Sequence, residues 1–398
     1  GRGQQKGAMI TDVMFVTTDG GKTWKNVLTP NPNKRVQGDD GLTFSRDGIC
    51  YHSHLSFEGL RHPRPKKASS AIAIGASFDG GLTWQNSVPA VDHINTYIPM
   101  EDKPYVVVNN IPQHANQGQL YVSWTRFDNY ESTKPGDSTQ IYFSRSLDSG
   151  KTFSMPIRIS DQGGDCMDGD NTVEGAVPAV GTNGNIYIAW SGPRGLEFDK
   201  STDGGLTFGT DKIIDKQYGG WDFDVDGVFR ANGMPITAVD QSDGPNSGTI
   251  YVNWVDDRNG DLDVFVTSSR DSGEHWSKAV RVNDDKLKNG AVQFFTWMAV
   301  DPVDGSVNVV FYDRRNLDST KTGVTMARSV DGGKTFKNFP IDVLPFYCTK
   351  RAFFGDYNGI AAFNGTVAPI FTHFVSETKL GVSVALFHFK TGTVQTIP

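Results

Sequence analysis

The apolar residues of this chain fall in short runs, continuous or alternating with small and polar residues. Val13-Met14-Phe15-Val16, Ile72-Ala73-Ile74 and Val264-Phe265-Val266 form one set. A second set ends on an aromatic: Leu120-Tyr121-Val122-Ser123-Trp124, Ile186 to Trp190, Ile250 to Trp254, Val307 to Phe311 and Val367 to Phe371. A third set comes just before the second: Tyr105 to Val108, Ala176 to Val180, Pro235 to Val239, Thr296 to Val300 and Asn358 to Phe363. Runs of this length, bounded by Gly, Asp, Asn and Pro, predict β-strands. No stretch holds a 3.6-residue apolar pattern over three turns, so no helix is predicted.

One octet punctuates the strands six times. Its copies are Thr17 to Trp24, Ser77 to Trp84, Ser146 to Phe153, Ser201 to Phe208, Ser269 to Trp276 and Ser329 to Phe336. The pattern is Ser/Thr-x-Asp-Gly/Ser-Gly-x-Thr-Trp/Phe, and only His275 departs at the Thr position. The Asp can accept hydrogen bonds from amides further along the turn, and the Gly supplies a backbone angle other residues avoid. The octet therefore predicts a stapled turn between two antiparallel strands. A structural role outweighs a catalytic one, because a turn is needed many times and an active site once. The octet Asp residues lie 60, 69, 55, 68 and 60 positions apart, the period of a radial array of four-stranded sheets.

These octets resemble the Asp-box of the sialidase-like (neuraminidase) superfamily. The resemblance implies a β-propeller in which the box joins the third and fourth strands of each blade, away from the active centre. It extends over nearly the whole chain. Seven blades are expected in a single domain, residues 1–398. The first blade is incomplete at its N-terminus, and the last, about Phe353 to Pro398, has Lys390-Thr391-Gly392 where the box would be. Six blades are the alternative, with the N-terminal strands completing the C-terminal blade.

With 398 residues, a net charge of −7 and 21% charged residues, nucleic acid is not an expected partner. No run of about 18 apolar residues is present, so no membrane-spanning segment is expected. The family resemblance implies a secreted, cell-surface or periplasmic protein; no signal peptide opens the chain. Cys50, Cys166 and Cys348 fit no metal pattern. A Cys166–Cys348 disulfide and three free thiols are both open readings. Asn364-Gly365-Thr366 is a glycosylation sequon.

The loops that lead into first strands collect carboxylates, amides and aromatics. They read Gln37-Gly38-Asp39-Asp40, Glu101-Asp102-Lys103-Pro104, Asp170 to Gly175, Trp221 to Gly233, Gln293 to Trp297 and Phe353 to Asn358. Carboxylates beside aromatic platforms suit a sugar, since acids move protons and rings pack on a pyranose face. The family uses a Tyr nucleophile with a Glu, an Asp acid/base and three Arg that grip a substrate carboxylate. By resemblance, Tyr357 is the nucleophile, Glu174 its partner, and Asp102 or Asp40 the acid. Asp40, Lys103, Arg230 and Asp356 are candidate binding groups, with Trp221 and Trp297 as sugar platforms. The Phe/Tyr-Arg-Ile-Pro motif that carries the family's first Arg is absent from this sequence. Arg126, Arg258, Arg314 and Arg315 follow second strands, where ion pairing with adjacent Asp residues is the simpler reading. His52 and His54 alternate on one strand and read as core histidines, with a general base as the other role.

No metal or other cofactor is required, although two acidic runs are candidate calcium sites. These are Asp165, Asp168 and Asp170, and Asp222-x-Asp224-x-Asp226-Gly227, which lacks the closing Glu of an EF-hand because Gly233 stands there. Long irregular segments at Gly59 to Lys67, Asp128 to Ser138 and Asp161 to Asn171 are candidates for ligand contact. The expectation is a glycan-active hydrolase with a carbohydrate substrate. A polysaccharide lyase and a non-catalytic binding propeller are the alternatives.

Overall fold

The structure is a computed structural model, and it describes residues 11–58, 68–96, 98–318, 320–390 and 393–397. Among the described residues every regular element is a strand. In chain order these are β1 (Val13–Val16), β2 (Lys25–Leu28), β3 (Val36–Phe44), β4 (Cys50–Glu58), β5 (Ser69–Ser77), β6 (Val88–Ile94), β7 (Met100–Val108), β8 (Leu120–Phe127), β9 (Thr139–Ser146) and β10 (Ile157–Arg158). There follow β11 (Glu174–Val180), β12 (Ile186–Gly192), β13 (Gly195–Ser201), β14 (Lys212–Asp215), β15 (Asp222–Phe223), β16 (Ala231–Asn232), β17 (Ile236–Val239), β18 (Ile250–Asp256), β19 (Asp263–Ser269) and β20 (Val280–Arg281). The last are β21 (Gln293–Val300), β22 (Val307–Asp313), β23 (Lys321–Ser329), β24 (Lys337–Pro340), β25 (Phe346–Tyr347), β26 (Gly359–Phe363), β27 (Thr366–Ser376), β28 (Lys379–His388) and β29 (Thr393–Ile397).

Consecutive strands pair, as their short connections require. The sheets are β3-β4-β5-β6, β7-β8-β9-β10, β11-β12-β13-β14, β17-β18-β19-β20, β21-β22-β23-β24 and β26-β27-β28-β29, with β25 added to β23. The hairpins β1-β2 and β15-β16 pair within themselves. The described residues up to Pro193, with Glu197–Lys212, make one compact unit, here called the N-terminal unit. Arg194–Leu196 and the described residues from Ile213 onward make the other, the C-terminal unit. Gly59 to Lys67, Thr391 and Gly392 lie outside the described residues.

Second strands are apolar on both faces because both faces are covered. In the N-terminal unit, Leu120, Val122 and Trp124 of β8 join a core with Tyr51, Leu55, Ile72 and Ile74. Tyr121 of the same strand points the other way, into a core with Ile141, Phe143, Ile186 and Trp190. Alternate residues of one strand thus serve two cores, as the two-residue period dictates. The aromatic that closes each second strand is deeply buried: Trp124, Trp190, Trp254 and Phe311 are all 0% exposed. Burying such a ring is worth several kcal/mol, on the order of 25 cal/mol per Å².

Each octet lies between a third and a fourth strand, or between β1 and β2, and its chemistry repeats. In the second copy, Ser77 Oγ donates to Asp79 Oδ1 and accepts from Gly81 N at 2.7 Å. Thr83 donates twice to the same carboxylate, from N at 2.8 Å and from Oγ1 at 2.6 Å. Trp84 Nε1 closes the turn on Gly81 O at 3.0 Å. Where His275 replaces Thr, its Nδ1 takes the hydroxyl's place, 2.7 Å from Asp271 Oδ2. These bonds favour the charged carboxylate, so Asp203 and Asp331 sit lowered to about 2 although burial opposes the shift. The second octet glycine has a packing role as well: Gly333 has φ +79°, and a Cβ there would stand 3.1 Å from the Tyr251 ring on the preceding sheet.

Candidate functional site

Four first strands share a device that the sequence pattern does not display. In β3 the pairing with the second strand shifts between Gly38 and Gly41; in β7, between Asp102 and Tyr105. The shift recurs between Glu174 and Val177 in β11 and between Phe294 and Trp297 in β21. Each bulge contains a left-handed residue: Asp39 (φ 56°), Lys103 (φ 50°), Gly175 (φ 79°) and Phe295 (φ 48°). Three of these carry a side chain in a region that costs about 1–3 kcal/mol, the kind of strain that clusters at functional sites. Bulges re-aim side chains at strand ends.

Within the N-terminal unit, β3 packs beside β7 and β7 beside β11. Second-strand hydroxyls pin the bulges: Ser53 Oγ donates to Pro104 O at 3.1 Å, and Ser123 Oγ to Ala176 O at 2.7 Å. This brings Asp102, Lys103 and Glu174 together, three residues singled out from sequence. Lys103 Nζ lies 2.7 Å from Glu174 Oε2 and 3.4 Å from Asp102 Oδ2. Thr172 Oγ1 donates to Glu174 Oε1 at 3.0 Å. Glu174 is 0% exposed, and Lys103 and Asp102 are buried as well. Burial pushes the Glu174 carboxyl up to about 8; Lys103 opposes this, while the charges of Asp168 and Asp102 add to it. Lys103, expected as a substrate ligand, here has its ammonium buried against the Glu174 carboxyl.

Tyr130 and Asp168, on the two irregular segments flagged for ligand contact, complete this cluster. The Tyr130 hydroxyl donates to Asp168 Oδ2 at 2.6 Å. Burial first, then the charge of Asp168, raises the phenol well above its ordinary range. Nothing local in the sequence marks this pair, because the two residues are 38 positions apart and meet only through loop packing. Glu101, also missed, holds the second strand's end. It accepts from Trp124 Nε1 at 2.6 Å and Arg126 Nε at 2.8 Å, and lies 2.7 Å from His93 Nε2.

Asp40 stands apart from this cluster, in the β3 bulge. Its Oδ1 is 2.5 Å from Nε2 of His52, which is buried and stacks on His54 at 4.8 Å. The core reading fits His54, whose Nδ1 and Nε2 engage Leu55 O and Ser87 Oγ. His52 instead faces carboxylates.

The remaining candidates belong to the C-terminal unit. Arg230 grips Asp356 with two bonds, Nε to Oδ1 at 2.7 Å and Nη2 to Oδ2 at 2.5 Å. Asn232 Nδ2 donates to the Asp356 carbonyl at 2.9 Å. Tyr357 meets Trp297 edge to face, ring centres 6.1 Å apart. Trp221 is only 4% exposed, so its ring is core packing and has no free face to offer a sugar, a correction to its platform reading.

Comparison with known proteins supplies the context for these clusters. The BNR/Asp-box repeat model matches residues 15–26, the first octet. A sialidase of Bacteroides fragilis is 22% identical over 367 residues, covering 82% of this chain and 62% of its own length. The Hadza microbial sialidase Hz136 superposes with a TM-score of 0.52 at 16% identity, over 90% of this chain and 66% of its own. A mutant of NanB sialidase from Streptococcus pneumoniae gives a TM-score of 0.53 at 13% identity, over 91% and 68%. An ulvan lyase, described as a new family of polysaccharide lyase, gives a TM-score of 0.51 at 11% identity, over 91% and 84%.

The chain carries a BNR/Asp-box repeat and resembles sialidases in sequence and fold. It spans about 62% of the length of the curated sialidase it matches.

Ion pairs hold Arg126, Arg258 and Arg315, though the pairs are less exposed than expected and not always with the adjacent residue. Arg126 pairs with Glu101 at 2.7 Å, and Arg258 with Asp256 at 2.6 Å and Asp215 at 2.9 Å. Arg315 binds Asp313 at 2.5 Å, while Arg314 is buried and donates to Asp226 O at 2.7 Å. Cys50, Cys166 and Cys348 are all free and buried, so the disulfide reading gives way to three thiols. Asp168 is engaged by Tyr130 and Asp224 by Lys350. Among the described residues, the group whose ligand atoms converge for a metal is neither acidic run but Asp12, Asp40 and His52.

Proposed function

We propose that this protein is a secreted, glycan-active enzyme that hydrolyses a glycosidic bond, with an acidic sugar as the preferred class of substrate. In this reading each four-stranded sheet is one propeller blade. The observation that carries the functional reading is the buried Lys103–Glu174 pair at 2.7 Å. Ionisable groups buried at bulged strand starts are costly to keep, and a carboxyl raised to about 8 can hold or release a proton near neutral pH. Glu174 is the proton carrier in this reading, Lys103 positions it, and Asp102 is the candidate acid. Tyr357 is the candidate nucleophile, with Arg230, Asp356 and Trp297 on the binding side. A phenol needs a base to act as a nucleophile, since its ordinary pKa is about 10.

The test is turnover on a panel of sialosides, other aryl glycosides and acidic polysaccharides, with Glu174→Gln and Tyr357→Phe measured beside the wild type. Hydrolysis that is lost in both variants while circular dichroism is unchanged supports the assignment. Elimination at a uronic acid is the alternative on the same scaffold, and its unsaturated, ultraviolet-absorbing product distinguishes it. Folded wild type that turns over no member of the panel removes the hydrolase reading for those substrates and favours a carbohydrate-binding role.

A further inference from the structure

We propose that Asp12, Asp40 and His52 form a binding site for one divalent transition-metal cation, with zinc as the reference ion. The inference stands independently of the glycosidase reading. It rests on three side chains that arrive from three separate segments and aim at one point. Asp12 immediately precedes β1, Asp40 lies in the bulge of β3, and His52 lies on β4. One ligand atom from each falls within 4.8 Å of the other two. His52 Nε2 is 2.5 Å from Asp40 Oδ1 and 3.8 Å from Asp12 Oδ2.

The second observation is an unsatisfied group. Asp12 is 7% exposed, and its Oδ2, facing His52, has no hydrogen-bond partner. Burial first, then the charge of Asp40, pushes the Asp12 carboxyl up to about 9, so without a cation it holds a proton against Asp40, and a bound cation would take that proton's place. Among the described residues no Lys or Arg forms an ion pair with Asp12 or Asp40; His52 lies within 3.8 Å of both, and His54 acts on Asp40 from further away. Asp12 is nevertheless fixed in place, because its N–H donates to Gln37 Oε1 at 3.2 Å and its carbonyl accepts from Thr29 N at 3.2 Å. A cation at the convergence point would satisfy both carboxylates at once.

The ligand set selects the cation. One imidazole nitrogen with two carboxylate oxygens suits zinc, manganese or iron(II), whereas calcium prefers six to eight oxygens. Zinc bonds of about 2.0–2.1 Å in tetrahedral geometry place neighbouring ligand atoms about 3.3 Å apart. The observed separations of 2.5 and 3.8 Å bracket that value. Asp40 has 46% of its side chain exposed and can make the sub-ångström adjustment. Nothing around His52 Nδ1 fixes the tautomer, since that atom has no hydrogen-bond partner either. Three protein ligands leave a fourth position, open on the exposed side of Asp40, for water or a ligand oxygen.

The experiment is metal titration of the whole protein after chelator treatment and dialysis. Zinc binding is followed by calorimetry, and cobalt binding by its visible d–d absorption. One equivalent of zinc is expected, with a cobalt spectrum of four-coordinate nitrogen and oxygen ligation and much weaker binding of calcium. Asp40→Asn and Asp12→Asn should each weaken zinc by at least about tenfold, since even outer partners of a metal ligand are worth 10–100-fold. Asp40 is the safer variant because it is half-exposed. His275→Ala is the control: His275 and Asp271 form an exposed pair at 2.7 Å that can also attract zinc, and its loss should leave the equivalent in place. Binding abolished by His275→Ala, binding unchanged in folded Asp40→Asn, or no binding below millimolar zinc would each overturn the proposal.

Discussion

Removing the ammonium of Lys103 tests whether the buried pair is electrostatically real. Lys103→Met keeps the aliphatic length of the side chain and deletes its charge, leaving Asp102 without its partner at 3.4 Å and Glu174 without its partner at 2.7 Å. At pH 6 the loss should be about 1.5–3 kcal/mol, the worth of a hydrogen bond to a charged group. The informative region is higher. In the wild type Glu174 is raised from 4.5 to about 8, so the folded state holds its proton more tightly than the unfolded state does. A raised pKa contributes stability that is complete below 4.5 and is lost as pH climbs to about 8. Above that the wild-type curve levels, because Glu174 is ionised in both states. Without Lys103 the main opposing influence is gone and the folded carboxyl keeps its proton further up. The variant should therefore go on losing up to about 1.36 kcal/mol per pH unit, or about 2 kcal/mol more between pH 8 and 9.5. Urea denaturation at pH 6, 8 and 9.5, followed by both circular dichroism and tryptophan fluorescence, measures the difference. Other groups titrate in both proteins and cancel. Adding Glu174→Gln to both should flatten the difference. Parallel curves above pH 8 would refute the electrostatic account of the site.

Four further outcomes follow from the same geometry. Trp124→Ala should cost about 3–5 kcal/mol by urea denaturation, while Trp124→Phe should cost about 1–3 kcal/mol by leaving Glu101 Oε2 without its donor. Gly333→Ala should destabilise by about 1–2 kcal/mol, because φ is +79° and the new methyl meets the Tyr251 ring; loss of no more than a few tenths would mean that the octet turn relaxes freely. The octet carboxylates Asp19, Asp148, Asp203 and Asp331 are lowered to about 2, so their stabilisation is present above pH 3.8 and lost as pH falls toward 2; Asp331→Asn should shift the acid-unfolding midpoint upward. A thiol reagent should modify none of the three cysteines in the native state and all of them in urea, since each is buried and burial pushes Cys50 up to about 12.

Local chemistry explains what the sequence discloses. The octet is legible because its partners lie within eight residues: Thr335 reaches Asp331 from four positions away, and the same spacing recurs wherever the motif does. Strand order is legible because short connections force neighbours to pair. The alliance of Asp102, Lys103 and Glu174 is partly legible, since each sits where a first strand begins. The bulge that unites them is not, because an unpaired two-residue step exists only relative to a partner strand. Tyr130 with Asp168, and Asp12 with His52, depend on loops and strands meeting after folding. Trp221 fails as a platform for the opposite reason: its residue type suits sugar binding, but the fold buries it.

The strand directions account for why a resemblance carried by the octets leaves the reaction open. In β7 to β10 the chain enters at Met100, turns at Val108, returns to Phe127 and reaches the octet after Ser146. The octet is therefore at the end of the sheet opposite Asp102 and Lys103, whereas the end of β8, with Trp124 and Arg126, returns to them. One end of the sheet is closed by a repeated, self-contained network of neutral donors on one Asp. The other end carries strained backbone, buried charge and long-range contacts. A motif on the first end can recur six times because its hydrogen bonds close within its own eight residues. The second end is built from pairings that differ from place to place: Glu174 of β11 with Lys103 of β7, Asp40 with His52 between β3 and β4, and Arg230 with Asp356 between two loops. Those differences hold whatever chemistry the protein performs, and they are read only by perturbing each pair in turn.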